Sequence, residues 1–213
     1  MHELLQTWFG WVHDWGYLGV IVLMAMESSI FPVPSELVVP PAAYWASQGE
    51  MNFWGVIAAA TAGSWLGSAI TYGVARAAGR PLLVRFGKYF LVSEQKLLRA
   101  ERWLERYEAG GIFFARLLPV IRHLISIPAG IVRMRFGIFS LMTLTGSFIW
   151  CTILAYYGRE VIGAHPALMD NPEELLHLMK KQCWWLVAFV AIICALYFLV
   201  MRLTSPRAPA NRS

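Results

Sequence analysis

The stretch ESSIFPVPSE, Glu27 to Glu36, sets two carboxylates and two prolines between apolar arms too short to cross a bilayer. The uncharged run before it, Trp15–Met26, has 12 residues, and the run after it, Leu37–Gly49, has 13. At about 1.5 Å per residue, a helix of that length covers roughly 18–20 Å, short of the ~30 Å hydrocarbon core. One span made from the whole region would put Glu27, Glu36, Pro32 and Pro34 into lipid. The two arms therefore predict a helical hairpin, 15–49, that enters from one side, turns, and leaves by the same side. Irregular backbone at such depth is stable only when packed in protein or lining a polar cavity.

The same conflict returns at Gly110–Arg135 with the opposite charge. GGIFFARLLPVIRHLISIPAGIVRMR is apolar, but Arg116, Pro119, Arg122 and Pro128 interrupt it. This predicts a second hairpin, 110–135. Three other uncharged runs are long enough to span: 51–75, 136–158 and 182–201. The 213 residues are 58% apolar and 15% charged, which excludes a disordered chain and argues against a soluble domain. Residues 1–15 and 93–109 carry apolar side chains at helical spacing and predict amphipathic surface helices. The expected fold is therefore an all-α membrane protein. It has two opposed re-entrant hairpins and three full spans, in the manner of an inverted-repeat transporter.

Charge sets the expected orientation. Residues 1–75 hold no Lys or Arg and five acids, whereas 76–106 hold eight basic residues against three acids. The tail 202–213 is basic as well, and Arg159–Lys181 has three basic residues against four acids. By the positive-inside rule, 76–106 and the C-terminal tail are cytoplasmic. The net charge of +5 is thus spent on topology, and no nucleic-acid partner is expected. Cys151, Cys183 and Cys194 are too scattered for a zinc site or a disulfide framework and read as apolar fillers. No metal and no cofactor is expected. Gly55, Ala59, Gly63 and Gly67 form a small-residue stripe that suits close helix packing.

Four charges then lie at apparent membrane depth: Glu27, Glu36, Arg116 and Arg122. Each costs roughly 2.5–3.5 kcal/mol on insertion scales, so the four imply a cavity, mutual pairing or both. Salt bridges that merely pin the hairpin tips are one reading. Transport is the other: paired guanidinium groups are natural phosphate receptors, and buried carboxylates are natural proton carriers because desolvation disfavours their charged form. His123 reads as an interfacial histidine or a proton relay. Ser28, Ser29, Ser35 and Ser126 read as caps on the broken helices or as substrate contacts. Three function classes remain: a lipid-phosphate translocase, a proton- or cation-coupled exporter of small molecules, and a membrane scaffold or enzyme. A phosphatase of the acid-phosphatase type would need a Lys seven residues before its Arg-Pro, where this chain has Gly73 before Arg80-Pro81, and no Ser-Gly-His occurs.

ESSIFPVPSE, followed later by FFARLLPVIRHLISIPAGIVRM, resembles the DedA family, also called the SNARE-associated or VTT-domain family, over roughly residues 15–160. The resemblance implies a multi-pass protein of the bacterial cytoplasmic membrane, without enzymatic activity, that moves a lipid phosphate such as polyprenyl phosphate or a phospholipid. It puts the family's acidic pair on Glu27 and Glu36, for coupling to protons or another cation, and its arginine pair on Arg116 and Arg122, for substrate. Pro32, Pro34, Pro119 and Pro128 mark the hairpin tips, with Ser35 and His123 as further candidates. Some members carry Asp where Glu36 stands, and an oligomer is compatible with this reading.

Overall fold

The computed structural model describes residues 2–29, 34–86, 110–118, 122, 124–164 and the single positions 174, 177, 178 and 192. Pro32, Pro119, His123, Cys183, Cys194, the expected surface helix 93–109, the tail 202–213 and, apart from position 192, the expected span 182–201 lie outside the described residues. Every described element is helical.

The expected surface helix is α1 (His2–Trp15). It joins α2 (Tyr17–Glu27) through Gly16, whose φ of 54° is a conformation that glycine adopts without steric cost. Beyond the tip, a 3-10 turn at Ser35–Leu37 leads into α3 (Val39–Ser47). Pro40 and Pro41 fall in the first turn of α3, where a missing amide costs no intrahelical bond. Then follow α4 (Phe53–Phe86), a helical stretch at 110–116, α5 (Ser126–Ile131) and α6 (Phe136–Ala164). Pro128 sits in the first turn of α5.

Two helices carry apolar stretches long enough to cross a membrane: Phe53–Ala77, of 25 residues, and Phe136–Ala164, of 29. Both helices outrun the uncharged runs that signalled them. α6 continues six residues past Gly158, and the backbone of α4 stays helical through Pro81. Loss of apolar character marks where a helix leaves the apolar layer, and Arg159 and Glu160 are good helix formers.

Packing depends on small residues. α2 lies along α4, with Gly63 against Ile21 and Met24 and Gly67 against Ala25; any side chain at either glycine would overlap the α2 backbone. That accounts for the small-residue stripe as close packing. α3 lies on α6, where Gly158 faces Pro40, and α5 lies on α4, where Gly130 faces Tyr72 and Ala75. Gly146 of α6 makes room for Arg116 from 110–116. The result is an exchange: α3 packs on the later long helix, α6, and α5 on the earlier one, α4.

Contacts along α4 show where α2 begins and ends. Near the start of α4, the Tyr17 hydroxyl accepts a 2.6 Å hydrogen bond from the Asn52 amide. Ser28, at the end of α2, meets Ser64 and Thr71 in the middle of α4. α2 therefore starts beside the Phe53 end of α4 and ends beside its middle. Towards the other end, Tyr72 stacks on Phe139 and its hydroxyl donates to the Met134 carbonyl. Arg76, Arg133 and Arg135 are exposed at that end.

Large apolar side chains face outward on the long helices, while a cluster of charged and hydroxyl side chains lies within the apolar core. Leu66, Ile70 and Val74 on α4 and Leu141, Phe148 and Ile149 on α6 are exposed. Glu27, Arg116, Arg122, Ser64, Ser68 and Ser147 are buried. An apolar exterior around a buried, hydrogen-bonded polar cluster is an arrangement that suits a lipid environment.

Candidate site where the two hairpins meet

Glu27 ends α2, and Arg122 follows the helical stretch 110–116, so the two come from distant parts of the chain. They meet in the interior. Nη2 of Arg122 donates to both Glu27 oxygens at 2.7 Å, and the two residues are only 3% and 4% exposed. The Arg122 guanidinium also lies 5.3 Å from the centroid of the Trp150 ring. Such a pair gains little net stability, because desolvation offsets attraction. Removing one partner, however, leaves a buried unpaired charge at a cost of about 3–5 kcal/mol.

Arg116 is held differently. Its Nη2 donates to Ser126 Oγ at 2.8 Å, and its guanidinium lies 5.9 Å from the centroid of the Phe139 ring. Arg116 is 2% exposed, forms no ion pair among the described residues, and leaves its Nε without a hydrogen-bond partner. It is close enough to feel the charges of both Arg122 and Glu27.

Hydroxyls complete the interior. Ser28 Oγ bonds Ser64 Oγ at 2.9 Å, and Ser64 Oγ bonds Ser147 Oγ at 3.1 Å, tying the first hairpin, α4 and α6 together at one level. Trp150 Nε1 donates to Ser35 Oγ at 3.4 Å. The expectation that serines cap the broken helices therefore holds only for Ser29, whose hydroxyl donates to the Met26 carbonyl. Ser28, Ser35 and Ser126 make contacts between elements, because local capping would leave buried groups on neighbouring helices unmatched. Cys151 is buried and free, within the apolar core.

Of the four charges singled out in the sequence, Glu27, Arg116 and Arg122 come together. Glu36 does not join them; it is half-buried in the 3-10 turn and forms no ion pair among the described residues. Phe139, Gly146, Ser147 and Trp150, which line the site from α6, were not singled out. Their signal is the 3.6-residue period of residues 139, 143, 146 and 150 within an otherwise uniform apolar run. No group of three or more metal-ligating side chains occurs among the described residues.

Residues 33–160 match the VTT domain family. Over 96% of its length, the chain is 31% identical to the protein named undecaprenyl phosphate transporter A of Bacillus subtilis (strain 168), and it covers 98% of that protein. It is 28% identical, over 92% of the chain and 94% of the relative, to the protein of the same name in Staphylococcus aureus (strain NCTC 8325 / PS 47). An alkaline phosphatase-like protein of Lactococcus lactis subsp. cremoris (strain MG1363) is 32% identical, over 89% of the chain and 87% of the relative. No solved structure matches.

Proposed function

The chain belongs to the VTT-domain, or DedA, family of membrane proteins, and from that premise we propose that it carries a lipid phosphate across the bacterial cytoplasmic membrane. Polyprenyl phosphate is the preferred substrate and a phospholipid the alternative. The observation that carries this reading is the Glu27–Arg122 pair. It joins two half-depth hairpins that come in from opposite ends, so breaking it opens the interior toward either side. In this reading both hairpins are re-entrant, and the chain transports without catalysing a reaction. The names of the two transporter relatives support the substrate class.

In the proposed cycle the phosphate engages Arg116 and Arg122. A phosphate that draws Arg122 from Glu27 leaves a buried carboxylate unpaired, and that favours proton uptake. Proton and substrate binding are then reciprocally coupled. Glu27→Gln mimics the protonated form and is expected to bind polyprenyl phosphate at least as well as wild type, while losing the response of flux to an imposed proton gradient. Flux into proteoliposomes with and without the gradient measures this, and a wild-type response would remove Glu27 from coupling. Glu36, exposed to fewer constraints in its turn, is the second proposed coupling acid.

The end bearing Arg76, Arg133 and Arg135 is proposed to face the cytoplasm, by the positive-inside rule. A single cysteine at Arg135 in a cysteine-free background should react with an impermeant thiol reagent only from the cytoplasmic side; labelling only from outside would invert this orientation.

Native mass spectrometry of the purified protein tests the substrate class. A co-purifying lipid phosphate supports the reading. A protein free of lipid phosphate that conducts protons or cations in proteoliposomes would favour a small-molecule exporter.

A further inference from the structure

The two arginines at the hairpin junction are not equivalent. Arg122 is neutralised by Glu27, whereas Arg116 is a buried cation with an unpartnered Nε and no carboxylate partner among the described residues. Among the described residues it forms no ion pair, and the carboxylate nearest the site, Glu27, already bonds Arg122. The interior around Arg116 therefore carries close to one uncompensated positive charge, which an anion would relieve.

A second group nearby is also unmatched. Thr143 on α6 is fully buried, and its Oγ1 has no hydrogen-bond partner. This is unusual within this molecule. Thr61, Ser68, Thr71, Thr145 and Thr152 on α4 and α6 all donate to the carbonyl four residues back, and Ser64 and Ser147 bond each other. Thr143 has the same helical carbonyl available and does not use it. Its position is fixed by its neighbours: Arg116 lies over Phe139 and against Gly146, and a helix puts residue 143 between 139 and 146 on that same face. Ser140, one turn earlier on α6, also has a buried oxygen without a partner.

Resting on the lipid-phosphate reading above, we propose that Arg116, Thr143 and Ser126 form the seat of the phosphate monoester, while Arg122 is held in reserve by Glu27. The guanidinium supplies charge and a planar pair of N–H donors. The two hydroxyls supply neutral donors to the remaining oxygens, so that the phosphate is seated on Arg116 before it draws Arg122 from Glu27. Ser126 already bonds Arg116, so it fixes the guanidinium and can turn its own proton toward the ligand. The seat takes the phosphate group whether it arrives on a lipid or as inorganic phosphate.

The test is equilibrium binding of a fluorescent short-chain polyprenyl phosphate to the full-length protein in detergent, with inorganic phosphate as competitor and the matching polyprenol as a probe without the headgroup. Thr143→Val keeps the shape and removes the hydroxyl. It should weaken polyprenyl phosphate binding about ten- to a hundredfold, the scale of one hydrogen bond to a charged group, and leave polyprenol binding unchanged. Thr143→Ser should retain binding, which separates a lost hydroxyl from a damaged fold. Ser126→Ala should weaken binding as well. Competition by inorganic phosphate marks a seat for the headgroup alone; no competition, with Thr143→Val still weak, marks a seat that also needs the lipid chain. Wild-type affinity in both Thr143→Val and Ser126→Ala would overturn the seat while leaving the transport reading intact. Failure of the wild-type protein to bind the phosphate probe in preference to polyprenol would overturn the transport reading, and the seat with it.

Discussion

Arg122→Gln is expected to destabilise the purified protein by about 3–5 kcal/mol and to reduce transport to background. The substitution leaves Glu27 charged and alone in an interior where it is only 3% exposed. The double variant Glu27→Gln, Arg122→Gln separates the two effects. With both charges removed, two amides can bond each other across the same gap, and most of the stability should return. Transport should not return, because no mobile guanidinium remains to leave one hairpin for the substrate. Thermal unfolding in detergent and lipid flux in proteoliposomes measure the two quantities independently. A double variant with wild-type flux would reduce the pair to a structural pin.

Arg116→Gln should behave in the opposite way toward stability. Arg116 has no carboxylate partner among the described residues, so its burial is a standing cost. A glutamine keeps an amide within reach of Ser126 and removes the charge. The expected result is a gain on the order of 1–4 kcal/mol, the scale reached when buried ion pairs give way to well-packed apolar groups, together with loss of lipid-phosphate binding. Functional residues often carry such a trade-off between stability and activity. A large loss of stability in Arg116→Gln would mean that the guanidinium is integral to packing, and the contrast with Arg122 would disappear. The two arginines sit six residues apart in one hairpin, so the opposite signs would come from their partners alone.

Much of this was legible in the sequence because lipid imposes hard rules. Short apolar arms around Glu27–Glu36 and around Arg116–Pro128 cannot span, which limits them to short helices, and α2 and α3 are short helices packed on α4 and α6. The glycine stripe on α4 read as close packing for the same reason that Gly63 and Gly67 tolerate no side chain. Pairing was less legible. Glu27 and Arg122 are 95 positions apart, and nothing in their local sequence says that Arg122 rather than Arg116 takes the carboxylate. Glu36 looked equivalent to Glu27, but the 3-10 turn after Pro34 points it elsewhere. The contribution of α6 was hidden for another reason. Thr143, Ser147 and Trp150 are unremarkable within an uncharged run, and they gain meaning only when α5 and α3 pack on α4 and α6 and bring both hairpins to one level. The serines near the broken helices read as caps or as substrate contacts because local capping is the commoner use of that side chain, whereas Ser28, Ser35 and Ser126 bond across elements.

The central claim is that two hairpins meeting at Glu27 and Arg122 form a passage for a lipid phosphate. Its most direct measurement is the leaflet accessibility of labelled polyprenyl phosphate in sealed proteoliposomes, read with an impermeant phosphatase added outside. With the wild-type protein, the inner-leaflet pool should become accessible over time and the whole label should be dephosphorylated, while Arg116→Gln and the Glu27→Gln, Arg122→Gln double variant should stop at the outer-leaflet pool, as empty liposomes do. A wild-type protein that stops at the outer-leaflet pool, or variants that exhaust both pools at the wild-type rate, would contradict the account.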